Sequence, residues 1–303
     1  MTLTIPAASG GGNSSERSRR RQRPIADYRN RAIALRCVYT DLDGTLFGRH
    51  GSLFRTADGE FTMLPARALE ACYRADVEVV IMSGRREAQV LADARLMGQE
   101  SYIYEAGCGV TIEFERTLLV GDWADDPERT PAQRMLDEGI PDLLFDHFGE
   151  RLEWHHPWHT DRHLSHLFRG SVDVAEANAL LIERGHEDLR FLDNGAISRP
   201  MEAIDGPAHA YHLVPGGASK AKAVAWHMQA RGYAPEEAIG VGDSLEDLDA
   251  AASVGRFFVV ANGPERDEAL RESLPRFPNA TVTDGRMGEG FYEAVVSTLA
   301  ERR

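Results

Sequence analysis

Val38-Tyr39-Thr40-Asp41-Leu42-Asp43-Gly44-Thr45-Leu46 governs how the rest of the chain is read. An apolar, β-prone run from Cys37 to Tyr39 delivers two carboxylates one residue apart, and a glycine turn follows. Side chains i and i+2 of a strand point the same way, so Asp41 and Asp43 are expected to project together from the strand's carboxyl end. Two carboxylates this close need a cation between them or a proton on one of them. Such a pair suits metal-assisted chemistry on a phosphate, with one carboxylate attacking and the other moving a proton. A calcium loop would continue with regularly spaced oxygen ligands and close on a glutamate, whereas here the chain runs on into the apolar Leu46-Phe47.

Around this stretch, strand and helix signals alternate. Residues 37–41 read as a strand, 65–75 as an amphipathic helix opened by Pro65, and 77–82 as a strand buried on both faces. A helix is expected over 86–97 and a short strand over 102–104. The alternation resumes with a helix over 219–231, a strand over 238–241, a helix over 245–252 and a strand over 257–260. This pattern predicts an α/β fold with a parallel sheet, helices on both faces and a site at the strands' carboxyl ends. The middle of the chain differs in character, holding three of the four tryptophans and nine of the eleven histidines. Strands around 164–174 and 189–198 flank a helix at 175–184, so residues 115–212 are read as an inserted α+β domain between core segments 31–114 and 213–303.

Three further motifs lie at the ends of predicted strands or the start of a helix. In Val79-Val80-Ile81-Met82-Ser83-Gly84-Arg85, Ser83 can donate to a phosphate oxygen while the amides that follow, Gly84 first, open a helix where anions are favoured. In Pro215-Gly216-Gly217-Ala218-Ser219-Lys220, a lysine occupies the first turn of a helix. Cations are disfavoured there, so Lys220 is expected to face an anion; the P-loop spacing is absent. In Gly240-Val241-Gly242-Asp243-Ser244-Leu245-Glu246-Asp247, Asp243 is placed as a hard oxygen ligand for Mg²⁺. Asp247 either orients a metal-bound water or Lys220, or compensates the helix N-terminus.

Taken in order, these four motifs resemble the haloacid dehalogenase superfamily of phosphohydrolases: DxDGT at 41–45, strand-Ser-Gly-Arg at 81–85, Lys220, and GDSxxD at 242–247. The resemblance implies a Rossmann-like core carrying an inserted cap. The insert lies after the second motif and before the third, and its length resembles the smaller C2B caps of sugar-phosphate phosphatases and phosphomannomutases. It further implies that Asp41 is the nucleophile forming an aspartyl-phosphate, and that Asp43 is the general acid and then the base. Mg²⁺ would be held by Asp41, Asp43 (through its backbone carbonyl) and Asp243. Phosphate would be bound by Ser83, Gly84 and Lys220. Two departures stand out. Glu246 replaces a frequent Asn, and Tyr104-Glu105-Ala106-Gly107 replaces a common Glu-Asn-Gly-Ala, which removes any substrate role of that Asn.

Composition bounds the function classes. At 303 residues, 27% charged and 43% hydrophobic, the chain reads as a soluble globular protein, and no run of about 18 apolar residues predicts a membrane span. The first 30 residues form an expected disordered, basic tail. Residues 1–36 carry eight arginines against Glu16 and Asp27, a net of +6, which leaves −20 on the other 267 residues. That argues against nucleic-acid binding by the body of the protein. No apolar segment completes a signal sequence around Arg17–Arg23, and the three cysteines, isolated in apolar contexts, suit a reducing cytoplasm. A small phosphorylated metabolite is the expected partner, and a monomer or homodimer the expected assembly.

The cluster Trp154-His155-His156-Pro157-Trp158-His159 is read as a polar, aromatic surface closing over the sheet, in preference to a metal site, with Arg169 and Arg85 as candidate substrate contacts. The leading expectation is therefore a Mg²⁺-dependent phosphatase acting on a small monoester, most naturally a sugar phosphate. Its rivals are a phosphomannomutase-like sugar phosphomutase, which needs cap cations for a second phosphate, and a non-catalytic sugar-phosphate sensor, which would have no need of both Asp41 and Asp43.

Overall fold

A computed structural model describes residues 34–301, apart from 125 and 198; the expected basic tail lies outside the described residues. Twelve strands are present among them. The first five are β1 (Cys37–Thr40), β2 (Glu78–Met82), β3 (Tyr102–Tyr104), β4 (Gly109–Ile112) and β5 (Glu115–Leu118). Then come β6 (Leu152–Trp154), β7 (His166–Gly170), β8 (Leu189–Ala196) and β9 (His209–Pro215), followed by β10 (Ala238–Gly242), β11 (Arg256–Val259) and β12 (Ala280–Val282). The large sheet has the order β12-β11-β10-β1-β2-β3-β4-β5. Its first six strands are parallel, and the β4–β5 hairpin closes the edge antiparallel.

Strand alternation divides β1 between two cores. Val38, Val79 and Ile81 face helices α1 (Leu64–Arg74) and α2 (Glu87–Leu96), contributing to one apolar cluster. Cys37, Tyr39, Val80 and Met82 fall in the other cluster, on the opposite face. Helices α3 (Pro131–Asp137), α4 (Ile140–Phe148) and α5 (Val174–Glu183) belong to the middle of the chain. Beyond it lie α6 (Lys220–Arg231), α7 (Leu245–Leu248), α8 (Asn262–Arg266), α9 (Glu268–Ser273) and α10 (Met287–Glu301). α6 covers the Cys37–Tyr39 face through Ala223, Val224 and Met228, and α10 supplies Phe291, Ala294 and Val295 to the other. The parallel sheet with helices on both faces agrees with the alternation in the sequence.

The middle segment builds a second, four-stranded antiparallel sheet, β6-β7-β9-β8. Period-two alternation gives it two different faces. Phe168, Phe191, Tyr211 and Leu213 join the core with α4 and α5. Leu167, Asn194, Ala210 and His212 instead line a cavity of about 1030 Å³ that reaches the carboxyl ends of the large sheet. Two expected boundaries cut through strands. Residues 115–118 pair with β4 and so belong to the large sheet, and 213–215 complete β9 in the small one. In each case the hydrogen-bond ladder, invisible to composition, extends the strand past the change in residue character.

Candidate active site

β1 ends at Thr40, and the next residue, Asp41, is 5% exposed at the base of the cavity. The turn that follows depends on glycine. Gly44 has φ +88°, and a Cβ there would come within 2.3 Å of Asp243 Oδ2. Absence of a side chain thus lets the first and fourth motifs meet. The end of β10 supplies Asp243, and Asp41, Asp243 and Asp247 each present an oxygen within 4.8 Å of the others. Thr45 Oγ1 donates to Asp243 Oδ1 at 3.4 Å.

Lys220 opens α6 behind the N-cap Ser219, whose hydroxyl accepts from Lys222 N–H. Its side chain is buried, and Nζ donates to Asp41 Oδ1 at 2.9 Å and Asp247 Oδ1 at 2.8 Å. The anion expected opposite Lys220 is therefore, in the first instance, this pair of carboxylates. Asp247 faces two ways. Oδ1 accepts from Lys220, while Oδ2 accepts from Ser244 N–H and Oγ–H in a capping box that starts α7. Substitution of Asn by Glu246 leaves that box intact.

Electrostatics at this base are unbalanced toward negative charge. Burial raises the Asp41 carboxyl well above its usual range against the pull of Lys220, and the charges of Asp247 and Asp243 push the same way. Burial and the neighbouring Asp247 raise Asp243 to about 7, opposed by Arg266 and Lys220. Burial works against the charge on Lys220, but Asp247, Asp41 and Glu246 outweigh it and hold the ammonium protonated. Three converging carboxylates with so little compensating charge form a hard-oxygen donor set that fits a divalent cation such as Mg²⁺.

Ser83 follows β2, is 1% exposed and lines the cavity; its Oγ accepts from Arg85 N–H. A Cβ on Gly84 would lie 2.5 Å from His212 Nε2, so this glycine admits the small sheet's close approach. Arg85 lines the cavity and is engaged with two carboxylates. Its Nε and Nη2 fork onto Asp43 at 2.7 and 2.6 Å, and Nη1 donates to Asp93 at 2.7 Å, so the guanidinium positions Asp43. Asp43 is about half exposed on the cavity wall. Arg169 is paired as well. It shares the face of Leu167 but sits directly opposite Glu153 in the β6–β7 ladder, and that carboxylate captures it away from the cavity lining.

Several participants escaped the sequence reading. Asn262, just past β11, donates from Nδ2 to Gly44 O at 2.8 Å and Asp243 Oδ2 at 3.1 Å, and Arg266 Nη2 donates to the same oxygen at 2.8 Å. Their signal was position after a buried parallel strand. Glu105, left without a role by the motif comparison, joins the two sheets' loops. Its carboxylate accepts from the backbone N–H of His163 (3.1 Å) and Leu164 (3.0 Å) and from Ser165 Oγ (2.7 Å). Arg162 is buried beside it and donates from Nη2 to Gly84 O at 2.7 Å. Burial, with Arg162 and Lys220 nearby, pushes His212 well below the ordinary imidazole range, so it stands neutral in the cavity wall. The histidine-rich segment brings no group of three metal-ligating side chains together among the described residues.

No protein-family model matches the chain. Sequence comparison finds a phosphoglycolate phosphatase of Archaeoglobus fulgidus, 26% identical over 261 residues, covering 86% of this chain and 95% of that protein. Among solved structures, the sucrose-phosphatase of Synechocystis in complex with sucrose and phosphate aligns over 88% of this chain and 98% of its own, with a TM-score of 0.61 and 15% identity. A haloacid dehalogenase-like hydrolase from Bacteroides thetaiotaomicron aligns over 87% and 99%, with a TM-score of 0.54 and 16% identity. The structural likenesses carry the fold, the sequence relative spans nearly the whole chain, and the four motifs meet around one cavity, so the chain is similar to haloacid dehalogenase phosphohydrolases in fold and in how its motifs are brought together.

Proposed function

We propose that this phosphoric monoester hydrolase is a Mg²⁺-dependent phosphatase of a small phosphorylated metabolite, of the sugar-phosphate class, working through an aspartyl-phosphate on Asp41. The observation that carries the reading is the buried Asp41 carboxylate, held by Lys220 within reach of Asp243 and Asp247 at the base of a cavity roofed by the small sheet.

Asp41, the backbone carbonyl of Asp43 and Asp243 would hold the ion. When bound, Mg²⁺ offsets the repulsion between the phosphate dianion and the attacking carboxylate. Lys220 and the Ser83 hydroxyl bind phosphoryl oxygens, keeping phosphorus in line with Asp41. An Asp41 oxygen bonds to phosphorus as the ester P–O bond breaks, and the leaving oxygen takes its proton from Asp43. A water then attacks phosphorus, gives its proton to Asp43 and releases inorganic phosphate, restoring Asp41. Arg85 fixes where Asp43 stands between the two steps.

The cavity's size supports a leaving group larger than glycolate, and His155, Trp158, Asn194 and His212 give the roof a mixed polar and aromatic lining suited to hydroxyls and a sugar face. The phosphomutase reading is weaker. Arg162, the arginine of the roof, spends its donors on Gly84 O and Ser165, beside Glu105. Phosphate release from a panel holding phosphoglycolate, hexose phosphates, a disaccharide phosphate and nucleotides, with and without Mg²⁺, tests the proposal. Mg²⁺-dependent release that favours sugar phosphates is expected. Absence of release from every monoester by folded protein refutes the phosphatase reading, and preference for phosphoglycolate refutes the substrate class.

A further inference from the structure

At the opposite end of the large sheet, three residues of different chemistry converge. Cys37 opens β1 and Glu78 opens β2, side by side in the parallel register. α6 lays His227 across them, and Cys37 Sγ, a Glu78 oxygen and a His227 ring nitrogen lie within 4.8 Å of one another. The cysteine and histidine are fully buried, and Glu78 retains 19% side-chain exposure, which leaves a way in from solvent.

His227 Nδ1 is engaged with the Tyr39 hydroxyl at 2.7 Å, whereas Nε2, also buried, has no hydrogen-bond partner among the described residues and lies 3.8 Å from Glu78 Oε1. A histidine anchored through one ring nitrogen with the other turned toward a thiol and a carboxylate has the arrangement of a metal ligand with its outer-shell partner. The carboxylate is itself oriented by donors from Ser101 (2.6 Å), Arg231 (2.9 Å) and Tyr233 (2.8 Å). Ligand atoms around a tetrahedral zinc at bonds of 2.0–2.3 Å lie about 3.3–3.7 Å apart, so the triad needs a contraction of at most about 1.5 Å.

We propose that Cys37, Glu78 and His227 form a binding site for a transition-metal ion, zinc by its sulfur, nitrogen and oxygen donors, separate from the carboxylate cluster at the catalytic end. Sulfur and imidazole select such an ion against Mg²⁺, which takes oxygen ligands. Arg231 remains beside the site and offsets part of the charge of thiolate and carboxylate. Burial raises the Cys37 thiol well above its usual range, and the ion would displace that proton on binding.

The test uses the full chain purified without a histidine tag, with excess Mg²⁺ to occupy the carboxylate cluster and Co²⁺ as the probe. One equivalent of Co²⁺ is expected to produce a thiolate-to-cobalt charge-transfer band that Zn²⁺ then removes. The band should vanish in Cys37→Ser, persist in Cys72→Ser and Cys108→Ser, and require about 10–100-fold more Co²⁺ in Tyr39→Phe. Should Cys37→Ser fail to fold, the two other serine variants assign the thiolate by elimination. No band in folded wild-type protein, or a band lost in either of those two variants, overturns the proposal.

Discussion

Replacing Asp41 with Asn removes the proposed nucleophile while keeping an oxygen that can accept from Lys220 Nζ, now 2.9 Å from Oδ1. Asp41→Asn should therefore lower phosphate release by at least about 10³-fold and melt within a few degrees of wild type, as followed by steady-state kinetics and circular dichroism. Retained turnover would remove Asp41 from the nucleophile's role. Glu246 makes a contrasting case, because its charge is a burden. Burial raises it from 4.5 to about 7, against the pull of Lys220. Between those two values the folded protein holds a proton that the unfolded chain has lost. The stability this group contributes is thus present below about pH 4.5 and is lost as pH rises through 7. Glu246→Gln copies the protonated form. It should match wild type in acid and exceed it at pH 8 by on the order of 1–3 kcal/mol, read as denaturant midpoints across pH.

The loop at 163–165 is tied to the large sheet by one carboxylate. Glu105 stands in left-handed backbone at φ 47°, with Ala106 beside it at 56°, and from there it collects three donors. Glu105→Ala would leave two backbone N–H groups and the buried Arg162 without that acceptor. Since Glu105 does not line the cavity, the loss should fall on KM, raised about tenfold, with kcat changed much less. An equal fall in kcat alone would show that the tie serves the chemical step. A single acid whose partners lie 58–60 residues away has no local signature in sequence. β1, β2 and β10 were legible because each is an apolar run ending in a chemical motif. β9 was missed because His209, Tyr211 and His212 hide its alternation between core and cavity. α10 was missed because Gly288 and Gly290 interrupt its first turn with residues that favour loops. The same limit explains Arg85 and Arg169. Sequence placed both arginines near the site, but Asp43, Asp93 and Glu153, which claim them, become neighbours only in the folded sheets.

For the whole molecule, the proposed Mg²⁺ site would couple ion binding to folding. Asp41, Asp243 and Asp247 converge only in the native state, so an ion held there stabilises the protein by mass action, about 2.7 kcal/mol at a hundredfold excess over Kd. For a chain of this size that is a rise of several degrees in Tm. Without the ion the cluster is a cost, since burial and Asp247 both oppose the charge on Asp243. Asp243→Asn relieves that cost and keeps an oxygen for Arg266 and Asn262, whose donors now rest on Oδ2 at 2.8 and 3.1 Å. The two proteins should therefore cross. In EDTA the variant melts at or above wild type, and in Mg²⁺ wild type rises by several degrees while the variant stays where it was. Melting curves at matched ionic strength separate this from general screening of the negative chain. A variant that kept the full Mg²⁺ response would place the ion elsewhere, whereas one that lost stability in EDTA would show that Asp243 is needed for its bonds to Arg266 and Asn262 even before any metal arrives.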